Sequence, residues 1–182
     1  MKTKRISFFM LVTAFTLVMA LASVPGLAAS RMRPVAFGRF SAENLRGDGP
    51  VTEAIFQDAK ITLLNFWATW CGPCVSELAD LARLHELSDG RAQVLGVLLD
   101  GLNVRGEKDE AAVARAHALL DGAQAEYAVV VPDEWLMRLA SLAAVIPTTF
   151  VVDETGAILT TVVGARTAEQ WLALMDEVLT EE

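Results

Sequence analysis

The chain has 182 residues, 53% of them apolar, and carries 15 basic and 23 acidic side chains for a net charge of −8. An acidic surface repels phosphate backbones and argues against a nucleic-acid partner. Two cysteines are too few for the disulfide scaffold of a small exported domain.

The chain opens on Lys2, Lys4 and Arg5, followed by an apolar stretch from Ile6 to Ala22 and the small residues Ala28-Ala29-Ser30. This is the layout of an export leader with a small-residue cleavage site. A retained N-terminal membrane anchor is the competing reading, because about 17 apolar residues reach the lower edge of a bilayer span. Residues 1–30 are therefore read as a signal peptide or an anchor, and 31–37 as a tether. Both readings put residues 38–182 outside the cytoplasm, with the basic flank inside. Without the three leader cations, 12 of the 15 bases remain against 23 acids. About 150 residues remain, enough for one domain with one core.

Phe40 to Leu45 and Val51 to Phe56 flank the turn signal Arg46-Gly47-Asp48-Gly49-Pro50, which predicts a small hairpin. Ile61 to Ala68 reads as a strand buried on both faces. From Cys74 to Leu87 the residues Leu78, Leu81, Ala82, Leu84 and Leu87 share one helical face. Val94 to Leu99 is a second apolar strand, and Asp100 to Lys108 a polar loop. Asp109 to Leu120 is an Ala-rich helix, Tyr127 to Val131 a short strand and Trp135 to Ala144 a helix. Thr148 to Asp153 and Ala157 to Val163 form a hairpin around Glu154-Thr155-Gly156. Thr167 caps a last helix through Leu179, with Gln170 placed for a capping box. The order predicts an α/β fold, a central mixed sheet with helices on both faces and an N-terminal β-hairpin extension.

The chemistry concentrates at Cys71-Gly72-Pro73-Cys74. Cys71 lies where a buried strand gives way to a helix, and unsatisfied N–H groups at a helix N-terminus favour a thiolate. Pro73 falls in the first turn, where a missing N–H costs little. Cys74 shares the helical face and can close a disulfide with Cys71. A bridge over two residues removes little loop entropy, so a structural staple explains it poorly. Cys71 is the expected attacking thiol and Cys74 the resolving one. Trp70 is expected to shield the pair from one side. A zinc site would need two more ligands. Only His85 and His117 are available, at spacings that fit no zinc motif, and both read as surface histidines. No metal is expected. Further along, Ile146-Pro147-Thr148-Thr149 puts a proline immediately before a strand.

Asn65-Phe66-Trp67-Ala68-Thr69-Trp70-Cys71-Gly72-Pro73-Cys74, with Ile146-Pro147-Thr148-Thr149-Phe150-Val151-Val152-Asp153 downstream, resembles the thioredoxin superfamily. Within it the chain is most similar to the exported TlpA/ResA-like thiol-disulfide oxidoreductases, from about residue 38 onward. The resemblance implies a thioredoxin fold and a cis peptide at Pro147. It implies that the Ile146-Pro147 loop faces the cysteines and binds a client backbone as an added strand. Trp70, Gly72, Pro73, Ile146 and Pro147 are then the substrate-binding residues. Cytoplasmic thioredoxins carry a buried Asp where this chain has Asn65. The TlpA/ResA-like branch instead places a Glu one turn after the second cysteine, here Glu77, on the right face to exchange a proton with Cys74. The alternative for Glu77 is a solvent-facing helical residue.

The expected activity is a protein-disulfide reductase needing no cofactor beyond the Cys71–Cys74 dithiol. The resemblance implies client proteins with disulfides as partners, apocytochromes among them, and a membrane thiol electron donor. The Gly72-Pro73 dipeptide matches thioredoxin, a reductant at about −270 mV. Two other functions compete: a thiol peroxidase, since peroxiredoxin-like proteins place a Thr two residues before the first motif cysteine and Thr69 resembles it, and a non-enzymatic binding module. The Trp70-Cys-Gly-Pro-Cys context favours dithiol chemistry over both.

Overall fold

In the computed structural model, residues 38–180 are described. The leader or anchor read at 1–30 and the tether at 31–37 lie outside them. Strands β1 (Ser41–Asn44), β2 (Pro50–Thr52), β3 (Ile61–Trp67), β4 (Ala92–Leu98), β5 (Ala128–Val131), β6 (Thr148–Asp153) and β7 (Ile158–Val163) alternate with four helices. These are α1 (Gly72–Leu87), α2 (Glu110–Gly122), α3 (Glu134–Ala140) and α4 (Ala168–Thr180). The strands form one sheet in the order β2-β1-β5-β4-β3-β6-β7. β3, β4 and β5 run parallel. β6 and β7 add antiparallel to one side, and the β1–β2 hairpin to the other. This is the expected mixed sheet with its N-terminal hairpin extension.

β3 is central, and all seven of its residues are buried. Its side chains alternate between two cores, as a pleated strand requires. Ile61, Leu63 and Trp67 pack with Leu78, Leu81 and Leu84 of α1, Val113 and Leu120 of α2, and Trp171 and Met175 of α4. Leu64 and Phe66 pack on the opposite face with Leu95, Phe150 and Leu136 of α3. Each fully buried Leu or Phe contributes roughly 1.5–3 kcal/mol by leaving water. Asn65 is therefore a polar residue set among the side chains that face α1 and α4.

The helix starts follow from short capping residues. Asp109 accepts the Ala111 and Ala112 N–H groups. Asp133 accepts the Leu136 N–H. Thr167 and Gln170 form the reciprocal box predicted for the last helix.

Two elements differ from the sequence reading. The second hairpin strand, expected over Val51 to Phe56, ends at Thr52, and Glu53–Asp58 is a 3-10 helix started by Thr52, whose hydroxyl accepts the Ala54 N–H. The tighter turn brings Phe56 edge-on against Phe40 at 6.0 Å. The helix expected to reach Ala144 stops at Ala140. The Ser141 N–H is shared between the Met137 and Arg138 carbonyls, and the Ser141 hydroxyl donates to Arg138 as well. The Leu142 and Ala143 N–H groups then reach back three residues, to the Leu139 and Ala140 carbonyls, so the last turn tightens and the helix does not continue.

Candidate active site

β3 ends at Trp67, and a turn carries the chain into α1. The Cys71 N–H donates to the Ala68 carbonyl. The turn is tied to Asp100, in the 3-10 turn Leu99–Gly101 that follows β4: the Thr69 N–H meets both Asp100 carboxylate oxygens at 3.1 and 3.2 Å, and the Thr69 hydroxyl donates to Asp100 at 2.5 Å. Cys71 is the N-cap of α1, and its sulfur accepts the Cys74 N–H at 3.3 Å. That places the sulfur where helix N–H groups stabilise negative charge. Cys71 and Cys74 are joined in a disulfide with a Cα–Cα distance of 5.3 Å. Cys71 is 6% exposed and Cys74 1%.

Gly72 and Pro73 are exposed beside the pair. The Ile146–Pro147 peptide is cis. The Ile146 carbonyl oxygen lies 3.7 Å from the Cys71 sulfur, and the Gly164 N–H holds the Pro147 carbonyl at 2.9 Å. The fold thus brings Cys71, Cys74 and Ile146 together across 75 residues of sequence. Trp70 corrects the reading made from sequence. It is 73% exposed, so its indole projects into solvent instead of shielding the disulfide.

Glu77 is 1% exposed, which excludes a solvent-facing residue. Its Oε1 accepts the Arg166 backbone N–H at 2.8 Å and the Trp171 indole N–H at 3.0 Å. Its Oε2 accepts from the Asn65 amide at 3.4 Å, and that amide also donates to the Thr149 hydroxyl at 2.9 Å. Burial disfavours the carboxylate and raises its pKa from 4.5 to about 7. The three hydrogen bonds oppose the rise without cancelling it, and the charge of Asp80 adds to it. A carboxyl group that titrates near neutrality is suited to accept and release protons there.

Trp171, Arg166 and Thr149 are the site residues that sequence reasoning missed. Trp171 stands 94 residues from Glu77. Its position in the last helix was legible, but no local pattern aims its N–H at a carboxylate on another helix. Another correction falls on His85, which is half-buried and sits edge-on to Tyr127 at 6.1 Å. Desolvation lowers its pKa. Among the described residues no group of three or more His, Cys, Asp or Glu is placed to hold a metal ion.

The geometry predicts the order of thiol reactivity. After reduction, limiting iodoacetamide should label Cys71 before Cys74, because the helix N-cap favours its thiolate and Cys74 is sealed in the core. Peptide mass mapping reads the result, and preferential labelling of Cys74 would reverse the roles.

The family model described as "AhpC/TSA family" matches residues 36–161. The chain is similar to the thiol:disulfide interchange protein HelX of Rhodobacter capsulatus, at 32% identity over 138 residues, 75% of this chain and 71% of HelX. It is similar to the thioredoxin-like protein YneN of Bacillus subtilis, at 29% identity over 139 residues and 75% of each chain. Among solved structures, the thioredoxin-family thiol:disulfide interchange protein of Chlorobium tepidum superposes with a TM-score of 0.66 at 24% identity. That match covers 81% of this chain and 97% of the other, and it speaks to the fold.

Proposed function

Since the chain belongs to the AhpC/TSA family, within the thioredoxin superfamily, and is a thiol-disulfide oxidoreductase, we propose that it works as a reductant of client disulfides outside the cytoplasm. The observation that carries this reading is the disulfide at the α1 N-terminus, one turn from a buried carboxyl group that titrates near neutrality.

In the reduced form, the Cys71 thiolate attacks a client disulfide and displaces one client sulfur. Cys74 then attacks the mixed disulfide, restores the Cys71–Cys74 bond and releases the second client sulfur. Two electrons pass from the dithiol to the client. Glu77 takes the proton that Cys74 must lose before it can attack. The client backbone lies along Ile146 and Pro147 as an added strand, and the exposed Trp70, Gly72 and Pro73 contact its side chains. The disulfide is reset by a thiol carrier in the membrane. The leader-like residues 1–30 and the resemblance to the exported TlpA/ResA-like branch support this placement. The same resemblance supports apocytochromes awaiting haem as a client class.

Cys74→Ser tests the reading. Without a resolving thiol, Cys71 should hold clients as mixed disulfides that accumulate and can be identified by mass spectrometry. A variant that captures nothing while Cys71 remains reactive would overturn the client-reductase reading. The family description keeps a peroxidase in view. Against it, the Thr69 hydroxyl is held by Asp100. Peroxide consumption by the reduced protein should stay at the level of a simple dithiol.

A further inference from the structure

Glu77, Asp80 and Arg83 follow one another at three-residue intervals along α1, so they lie along one side of the helix. Each meets the segment that opens α4. Glu77 Oε1 accepts from the Arg166 N–H and the Trp171 indole. Asp80 Oδ1 accepts the Ala168 N–H at 3.0 Å. Arg83 pairs with Glu169 at 3.1 Å on the exposed end of the seam. The Ala168 N–H belongs to the first turn of α4 and has no partner within its own helix. Asp80 therefore pins the start of α4 to α1 between Arg166 and Trp171, the two residues that donate to Glu77.

The two carboxylate oxygens of Glu77 differ. Oε1 holds two donors at 2.8 and 3.0 Å, whereas Oε2 holds only the 3.4 Å contact from Asn65. Donors stabilise negative charge on the oxygen they reach, so a proton goes to the oxygen with fewer of them.

We propose that Asp80 is a positioning residue for the proton step: by holding Ala168 it keeps Arg166 and Trp171 on Oε1 and leaves Oε2 as the atom that takes the Cys74 proton. This inference rests on the reading of Glu77 as proton acceptor. In the step, the S–H bond of Cys74 breaks and an O–H bond forms on Glu77 Oε2. The Cys74 sulfur attacks the Cys71 sulfur, the Cys71–Cys74 bond forms, and the Cys71–client bond breaks. The client sulfur leaves with the electron pair as a thiolate. The dithiol supplies both electrons.

Asn65 of β3 is uncharged. Tyr127, just before β5, keeps its proton near neutrality because burial, and then the charge of Glu77, raise its pKa. The Arg166 guanidinium lies 5.8 Å from the Trp171 ring centre. Asp80 is the one negative charge that raises the proton affinity of Glu77.

A stopped-flow reaction of the reduced protein with dithiobis(nitrobenzoate) separates the steps. One coloured thiolate is released on attack by Cys71 and a second on resolution by Cys74. Asp80→Ala should leave the first release unchanged and slow the second about tenfold, a part of the full general-base effect. Asp80→Asn keeps an acceptor for Ala168 and should retain the rate of the second release above neutral pH. It removes the neighbouring charge, so the pH midpoint of that release should move down. A purely structural role would slow both releases together or move no midpoint, and either result overturns the proposal, as does a parental second release in Asp80→Ala. If Asp80→Ala fails to fold, the midpoint of Asp80→Asn decides alone. Glu77→Gln runs alongside: a parental profile there sinks the Glu77 reading itself, whereas an altered Glu77→Gln profile with unaltered Asp80 variants sinks only this inference.

Discussion

Glu77→Gln is expected to slow resolution of the mixed disulfide about 10²-fold or more near neutral pH, with attack by Cys71 little changed. Cys74 is 1% exposed and sits in an apolar core, a setting that disfavours its thiolate. Its proton needs an acceptor before it can attack. Asn65 stands where cytoplasmic thioredoxins have a carboxylate, and an amide does not titrate usefully. Glu77 titrates at about 7 and is bonded to that same Asn65. Gln keeps the shape and removes the base, so mixed disulfide should accumulate and higher pH should partly restore release. Turnover equal to the parent from about pH 6 to 8, where an ionised carboxylate matters most, would assign the proton another route.

The same substitution should change how stability depends on pH. The folded-state pKa of Glu77 is raised, from 4.5 to about 7. Between those values the folded chain holds the proton more tightly than the unfolded chain. The stability contributed by the protonated group is complete below the unfolded value and is lost as pH rises through the folded one. A shift of this size corresponds to about 3 kcal/mol lost by about pH 8. Gln has no charge to bury, so denaturant titrations should show Glu77→Gln gaining on the parent by about that amount between roughly pH 4.5 and 8. A constant difference across this range would show that the carboxyl group is not held at raised pKa. Slower chemistry with greater stability at high pH is the pattern of a residue kept for function at a cost to the fold.

The strand-turn-helix unit that presents Cys71 was legible because its signals are local. Seven consecutive residues suited to a buried strand, a capping position and a proline in the first turn all fall in the short run from Ile61 to Pro73. The sheet pattern and the last capping box were legible for the same reason. Elements whose ends depend on distant partners were less so. The second hairpin strand, expected over Val51 to Phe56, gives way at Glu53 to a 3-10 helix that sets Phe56 against Phe40. α3 ends four residues early, ahead of a loop that must reach Cys71.

The sequence by itself determined the chemistry: a Cys-Gly-Pro-Cys dithiol at a helix start, a proline before β6 and a carboxylate one turn beyond Cys74. Those features follow from residue identity and spacing of one to four positions, which backbone geometry converts directly into shared faces and caps. Only the tertiary structure decided what surrounds them. It buried Glu77 under the Trp171 indole, joined it to Asn65 and set Asp80 against Ala168. It also left Trp70 in water. Proton affinity depends on desolvation and on donors brought from other elements, 12 to 94 residues away for Glu77, and local spacing carries no information about either.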